Sequence, residues 1–525
     1  MFRNSVFALV LLSSACGSQP KDSTLTVPVA PGATASPVSA AVPIQEPSDV
    51  IASVQLVSGN SLGELAKAVD FFAPGMSTMA QFQLAQGIEF FAGMDLSGAD
   101  INGSVAALLL SPNKYESPIV MRLKVLDADA LRRAAKDAGK GVEFVGNLAI
   151  IGDADAVKAA SHYAFNTLSE NFSEFGVTLY PQVLLALYDD EIEERLSNPV
   201  ASIEQANPFA SGILDAYLSL GVALGEMSER LDISISSESG EVNLLLDLHP
   251  APDSALASFI AVQVPSNHDL LPTLGATGGG MIIMSGELRA GSAKKQLLDQ
   301  VSHYTALMMG DQMANLNELM RPWLNSLDGR VVMSMTMPIT PDMLKNQTPM
   351  SMRYIMGSTD SKTMMENMRT VFAKMATSDM ESMGVKLKTE FKPKIATEGD
   401  VEIDYYSGKF DLDTATPEQR IIMEPAAKLQ KPIYLATFDD VAVMAMGDNS
   451  DIVKKMIRAG RGQEPPFVPG RSLAQALASS KAKKESVLFY MGIGSMMPAA
   501  IDIEGFTMAL GKNGDALRIR FSASK

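Results

Sequence analysis

Along this chain the apolar positions change period from one stretch to the next, and the changes mark out strands and helices. Val50-Ile51-Ala52-Ser53-Val54-Gln55-Leu56-Val57 reads as a strand. Leu62, Leu65, Ala66, Val69 and Phe72 then recur at the three-and-four spacing that lines one face of a helix. Further strands are predicted over 104–110 and 119–126, and a helix over 128–138. Residues 142–151 are split by Gly146-Asn147, which predicts a hairpin. Gly152-Asp153-Ala154-Asp155 opens another helix, since an aspartate side chain accepts from the free N–H groups of a first turn. A strand over 182–188, a long helix over 212–229, and a hairpin of 231–236 and 242–248 turning at 237–240 close the series.

The second half repeats this order. Ser58-Gly59 matches Ser285-Gly286 at an offset of 227, and Asn102-Gly103-Ser104-Val105 matches Asp328-Gly329-Arg330-Val331 at 226. Met121-Arg122 matches Met352-Arg353 at 231, and Gly152-Asp153 matches Gly447-Asp448 at 295. The closing hairpin from Gly240 matches that from Gly514 at 274, where Asn513-Gly514 is a type I′ turn signal. An offset that jumps once by a large amount predicts a tandem duplication with an insertion near 376–430; chance similarity between two α+β segments is the alternative. The expected fold is α+β: two copies, 48–274 and 275–525, of a mixed or antiparallel sheet domain with helices packed on one face. The junction falls where Gly275, Gly278, Gly279 and Gly280 crowd together.

The N-terminus has a pattern of its own. Arg3 is followed by apolar Val6 to Leu12, then by the small residues Ser13-Ser14-Ala15 before Cys16. This is the layout of a secretory signal over 1–15, too short for a membrane-spanning helix, which needs about 20 apolar residues. The stretch resembles the lipobox of bacterial lipoproteins, with Ser13 where that motif usually has Leu. The resemblance implies cleavage before Cys16 and lipid attachment to it. Gly17, in place of a retaining aspartate, implies the cell outer membrane. The alternative is an ordinary signal with an incidental cysteine. Cys16 is the single cysteine of 525 residues, and exported proteins use cysteine mostly in pairs. Residues 16–47 are rich in Pro, Ala, Ser and Thr, without aromatic residues or a period, and read as a disordered tether.

Charge narrows the choice of partner. The net charge of −17 becomes −18 once Arg3 is removed with the signal. An acidic chain is repelled by phosphate backbones, so no nucleic acid is expected. The body loosely resembles a class of uncharacterised exported bacterial proteins whose domains carry a strand, a Gly-Asp step and a helix. Here that step is at 148–160 and 441–457. No active site is established for the class, so none carries over.

Chemistry is sparse. His162, His249, His268 and His303 lack metal-ligand spacing, and no metal or cofactor is expected. Ser292/Lys295 and Ser480/Lys483 form Ser-x-x-Lys pairs without the partner motifs of a penicillin-recognising site. Gly275 to Gly280 lacks the lysine of a phosphate loop and leads into a strand, so it reads as a turn. Asp127/Asp129, Asp153/Asp155, Asp411/Asp413 and Asp448/Asp451 are paired carboxylates, none in calcium-loop order.

Methionine is the compositional outlier. Of 33, six fall in residues 1–262, and thirteen fall in 331–383. Met333, Met335 and Met337 alternate along one strand face, and Met364, Met365, Met368 and Met375 share a helix. They read as core packing, as an adaptable apolar surface for an acyl chain or partner, or as thioethers for Cu(I). The leading expectation is a non-enzymatic, lipid-anchored envelope protein that binds a protein, an envelope polymer or an apolar ligand. A hydrophobic-cargo carrier using the methionine-rich half and an envelope hydrolase without a motif are the alternatives. No catalytic residue is assigned, and Cys16 is the one site residue.

Overall fold

The computed structural model describes residues 50–56, 92–166, 175–188, 221–238, 241–289, 325–336, 351–377, 385–417, 430–492 and 503–524, with isolated positions between them. The signal, Cys16, the tether, the helix over 62–72, Ser292, His303 and Met337 lie outside the described residues. The chain divides into two compact units, one containing residues 55–173, the other residues 51–54 and 174–525. The 274/275 boundary expected between the halves falls inside the second unit.

Strand β1 (Val50–Leu56) gives Ile51–Val54 to the second unit and Val50, Gln55 and Leu56 to the first. The first unit holds β2 (Ala99–Leu110), β3 (Ile119–Val125), helix α1 (Ala128–Asp137), β4 (Gly141–Val145), β5 (Leu148–Gly152) and α2 (Ala154–Asn166). Its strands pair antiparallel in the order β2-β3-β5-β4. The β4–β5 hairpin turns through Gly146 at φ +60°, a backbone that a Cβ would strain. Helix α1 starts where the Asp127 carboxylate accepts from the N–H groups of Asp129 and Ala130. Those two bonds hold its carboxyl below the usual value. Leu131 and Ala135 of α1 pack with Met121, Leu123 and Ile151 on one sheet face. Arg122, on the opposite face, donates to the carbonyl oxygens of Ala164, in α2, and Leu168.

The second unit contains one long sheet. After β1 come β6 (Phe175–Leu179), helix α3 (Pro181–Leu187), β7 (Ser228–Glu238), β8 (Glu241–Pro250) and helix α4 (Ala255–Ala261). There follow β9 (Ile282–Glu287), β10 (Leu327–Thr336), β11 (Ser351–Ser358), helix α5 (Ser361–Thr377), β12 (Glu381–Ser382), β13 (Val385–Glu398) and β14 (Val401–Phe410). Last are β15 (Ile433–Phe438), β16 (Val441–Met446), helices α6 (Asp451–Gly460) and α7 (Arg471–Ala482), β17 (Glu485–Gly492), β18 (Gly505–Asn513) and β19 (Ala516–Ser524). The spatial order is β1-β6-β7-β8-β19-β18-β17-β9-β10-β11-β16-β15-β14-β13-β12, antiparallel from β6 onward. The last strand of the chain thus pairs with β8 from its first half.

Helices cover both faces of this sheet, which corrects the one-faced packing expected from sequence. On the first face, α6, α7 and the 3₁₀ turn Leu271–Leu274 pack over Ile283, Val332, Ile355, Val443 and Leu488. On the second, α5 packs over Met356, Leu435 and Ala442, and α4 over Leu248 and Leu517. The physical reason lies in the strands. Tyr434, Leu435 and Ala436 are buried in succession, so both sides of β15 need cover.

Two further expectations change. Residues 181–187 are helical because Pro181 sits at the first helical position with its φ fixed; the strand is the preceding Phe175–Leu179. The last hairpin turns through Gly514 and Asp515, since Asn513 still pairs with Ala516. Gly514, at φ +60°, takes the first central position, as in a type II′ turn. The segment at 376–430 supplies the β13–β14 hairpin. Lys386, Lys388, Lys392 and Lys394 crowd β13, and Pro393 sits in its register break, features that discourage further strand pairing.

Candidate binding site

On the second face of the long sheet one cross-strand row is apolar from end to end. Leu244 of β8 faces Phe521, which faces Met508, which faces Phe489. The row continues through Met284, Met333 and Tyr354 on β9, β10 and β11. The neighbouring row runs from Ala523 through Phe506, Met491, Ile282 and Met335 to Met352. Helix α4 covers one end of this face and α5 the other. Between them Leu244 is 38%, Phe506 37%, Met508 41% and Phe521 41% exposed. Single exposed apolar residues are ordinary, but four adjoining ones on three successive strands form a patch.

The other face of the β8–β19 seam is polar. Arg518 grips Asp247 with Nε–Oδ1 2.7 Å and Nη2–Oδ2 2.5 Å, and the carboxylate raises the guanidinium pKa above its usual value. Two residues on, Arg520 faces Leu245. Arg520 is 1% exposed and donates from Nε and Nη2 to the Glu485 carboxylate at 2.6 and 2.7 Å. Its Nη1 donates to the Ser522 hydroxyl, which donates to Asn243 Oδ1 at 2.6 Å. The seam therefore carries charge on one side and hydrocarbon on the other.

No family model matches the chain, and no curated protein matches it. Among solved structures, crystal forms I, III and IV of TP0453 match at 9–10% identity and a TM-score of 0.25. Those matches cover 48–51% of this chain and 77–96% of that one. At that TM-score the common geometry is too small to assign a fold.

The residues singled out by sequence are scattered. His162 is exposed on α2. His268 is buried at φ +60°, with Nδ1 3.1 Å from Ser285 Oγ and, among the described residues, no partner for Nε2. Ser480 is wholly buried and Lys483 exposed, so that pair cannot act as nucleophile and base. Asp153, Asp411 and Asp448 each pair with a lysine at 2.9 Å, which accounts for them without a cation. Among the described residues no group of three or more His, Cys, Asp or Glu could hold a metal ion. Met364, Met365 and Met368 are buried in the core under α5, whereas Met284, Met333 and Met335 lie in the apolar rows.

His249 is the histidine that sequence underrated. Its Nε2 lies 2.9 Å from Asp232 Oδ2, and Thr178 Oγ1 donates to Asp232 Oδ1 at 2.8 Å. Burial raises the Asp232 carboxyl pKa. The hydrogen bond with His249, the Arg230 charge and the Thr178 bond outweigh that and hold it below the usual value. The aspartate sits in the middle, so the Thr178 proton points at the carboxylate and not at the imidazole. The order is wrong for an activated nucleophile. The exposed patch was also missed, although Phe506, Met508 and Leu510 alternate with the small residues Thr507, Ala509 and Gly511 along β18.

Proposed function

We propose that this chain is a tandemly duplicated lipoprotein, anchored to the outer membrane through Cys16, that acts by binding and not by catalysis. The exposed patch of Leu244, Phe506, Met508 and Phe521 is the observation that carries this reading, and it takes the apolar surface of an envelope partner. Duplication is supported by pairing order. The series β4-β5-β3-β2 recurs as β15-β16-β11-β10, and β1-β6-β7-β8 recurs as β9-β17-β18-β19. Helices α1 and α2 have counterparts at the same places in α5 and α6. The burial of Met364, Met365 and Met368 removes the helix methionines from a cargo-carrier reading. The patch lacks ionisable groups, which suits an apolar surface better than a reacting substrate.

Two measurements test this. A photo-crosslinking side chain at Phe521 should trap one protein partner in intact envelopes, and the same group at exposed Val468 should not. Phe521→Asp together with Met508→Asp should abolish co-purification of that partner with the chain while circular dichroism stays unchanged; undiminished co-purification refutes the site. Separately, Cys16→Ser should release the protein from membranes, and continued membrane attachment refutes the anchor.

A further inference from the structure

The glycine-rich turn before β9 borders an open cavity of about 530 Å³ on the first face of the long sheet, opposite the patch. That volume is in the range of small-molecule sites. Ile283, Phe467, Val468 and Leu473 give it apolar walls, and Thr277, Ser472 and Tyr490 bring hydroxyls. Among the described residues no carboxylate lines it, in a chain that holds 60 acidic residues. Ser472 Oγ and Tyr490 Oη lie 2.8 Å apart, so one donates to the other. Whichever donates, the second hydroxyl proton remains available to a ligand.

Behind Thr277 stands a charge with no counter-ion among the described residues. Arg353 Nη1 donates to the Leu274 carbonyl at 2.8 Å, and Nη2 lies 3.4 Å from Thr277 Oγ1. Among the described residues no carboxylate lies within ion-pair distance of it, although most other arginines of this unit have one. Burial alone holds its guanidinium below the usual value. A partly buried cation, unneutralised and one hydroxyl away from an open cavity, favours an anion there.

We infer that this cavity binds a small organic oxyanion, a carboxylate or phosphate monoester on an apolar body. The hydroxyls receive its head, with the Arg353 charge behind Thr277 favouring an anion there, and Phe467, Val468 and Leu473 receive its body. This site is separate from the patch and stands or falls independently of it. Gly470 gives a clean way to close it. It lines the cavity with ordinary extended backbone, and an added Cβ would meet nothing within 4 Å.

The test is calorimetric titration of the full chain with 4-phenylbutyrate, phenyl phosphate and the uncharged 4-phenylbutanol. At least one anion should bind at a single site about tenfold more tightly than the alcohol, the size of one charge-assisted hydrogen bond. Whichever anion binds more tightly identifies the head group. Gly470→Leu should weaken all binding by about tenfold or more through occlusion. Arg353→Gln should erase the preference for the anion, and Arg353→Lys should keep most of it, which separates charge from fold. Equal binding of anion and alcohol, or undiminished binding in Gly470→Leu, overturns the proposal.

Discussion

Replacing Glu485 by glutamine tests the buried network of the seam with little change of volume. In the folded protein Arg520 is 1% and Glu485 3% exposed, and the two share a two-pronged contact at 2.6 and 2.7 Å. The amide keeps the shape but removes the counter-charge, leaving a guanidinium in a site that water does not reach. The Ser266 N–H to Glu485 carbonyl bond is a backbone contact and survives. Breaking one partner of such a pair costs about 3–5 kcal/mol, because the remaining charge is buried unpaired. Against a typical domain stability of about 5–15 kcal/mol this is roughly a fifth of the total or more. Urea unfolding followed by far-ultraviolet circular dichroism reads the loss as a lower midpoint at an unchanged slope. Removing both charges together, as Glu485→Met with Arg520→Met, should recover most of that loss, since no lone charge remains. A single-variant cost under about 1 kcal/mol, or a double variant as damaged as the single one, would refute the reasoning.

Three further outcomes are expected. Burial holds His268 below the ordinary histidine value of 6.5 in the folded state, against the pull of Ser285, Asp269 and Glu485, so the unfolded chain binds its proton more readily. Stability should therefore be level above 6.5 and decline as pH falls below it towards the folded value; His268→Gln should flatten that slope in pH-dependent urea titrations. Asp232 lies below 3.8 when folded, so the stability it contributes is present above 3.8 and lost as pH falls through its folded value. Asp232→Asn should remove that acid-side loss in the same titrations. Met364→Ala, at a wholly buried position under α5, should cost about 2–5 kcal/mol by urea unfolding, where a ligand-facing methionine would cost far less.

Local order was legible where one residue type forces one conformation. Gly146 marked the β4–β5 turn because few other residues hold its positive φ. The Met333 and Met335 alternation fixed their shared strand face, since side chains alternate by geometry alone. Residues 182–188 read as a strand because their apolar side chains carry no period in a helix of seven residues. Helices on both faces were invisible because a run such as Val441-Ala442-Val443-Met444 does not say what covers each side. The patch depends on pairings between residues more than 270 positions apart, such as Leu244 with Phe521. No local period carries that information.

The two sides of the β8–β19 seam explain each other. Side chains alternate along a strand, so sliding β19 by one residue would exchange every position between the faces. Arg518, Arg520 and Ser522 would enter the apolar row, and Phe521 and Ile519 would sit against Glu485 and Asp247. Arg520 would leave its carboxylate and Asp247 would lose Arg518, each a buried or half-buried charge stripped of its partner, at a cost of several kcal/mol. A slide of two residues keeps the faces, and there hydrocarbon has no strong preference, since Leu244 packs on Ile519 nearly as well as on Phe521, whereas Arg518 would still leave Asp247 for Leu245. The polar side therefore fixes the register, and the register puts Phe521 beside Met508 and Leu244 at the surface. A binding patch assembled from distant strands needs that external ruler, because its own contacts are non-directional.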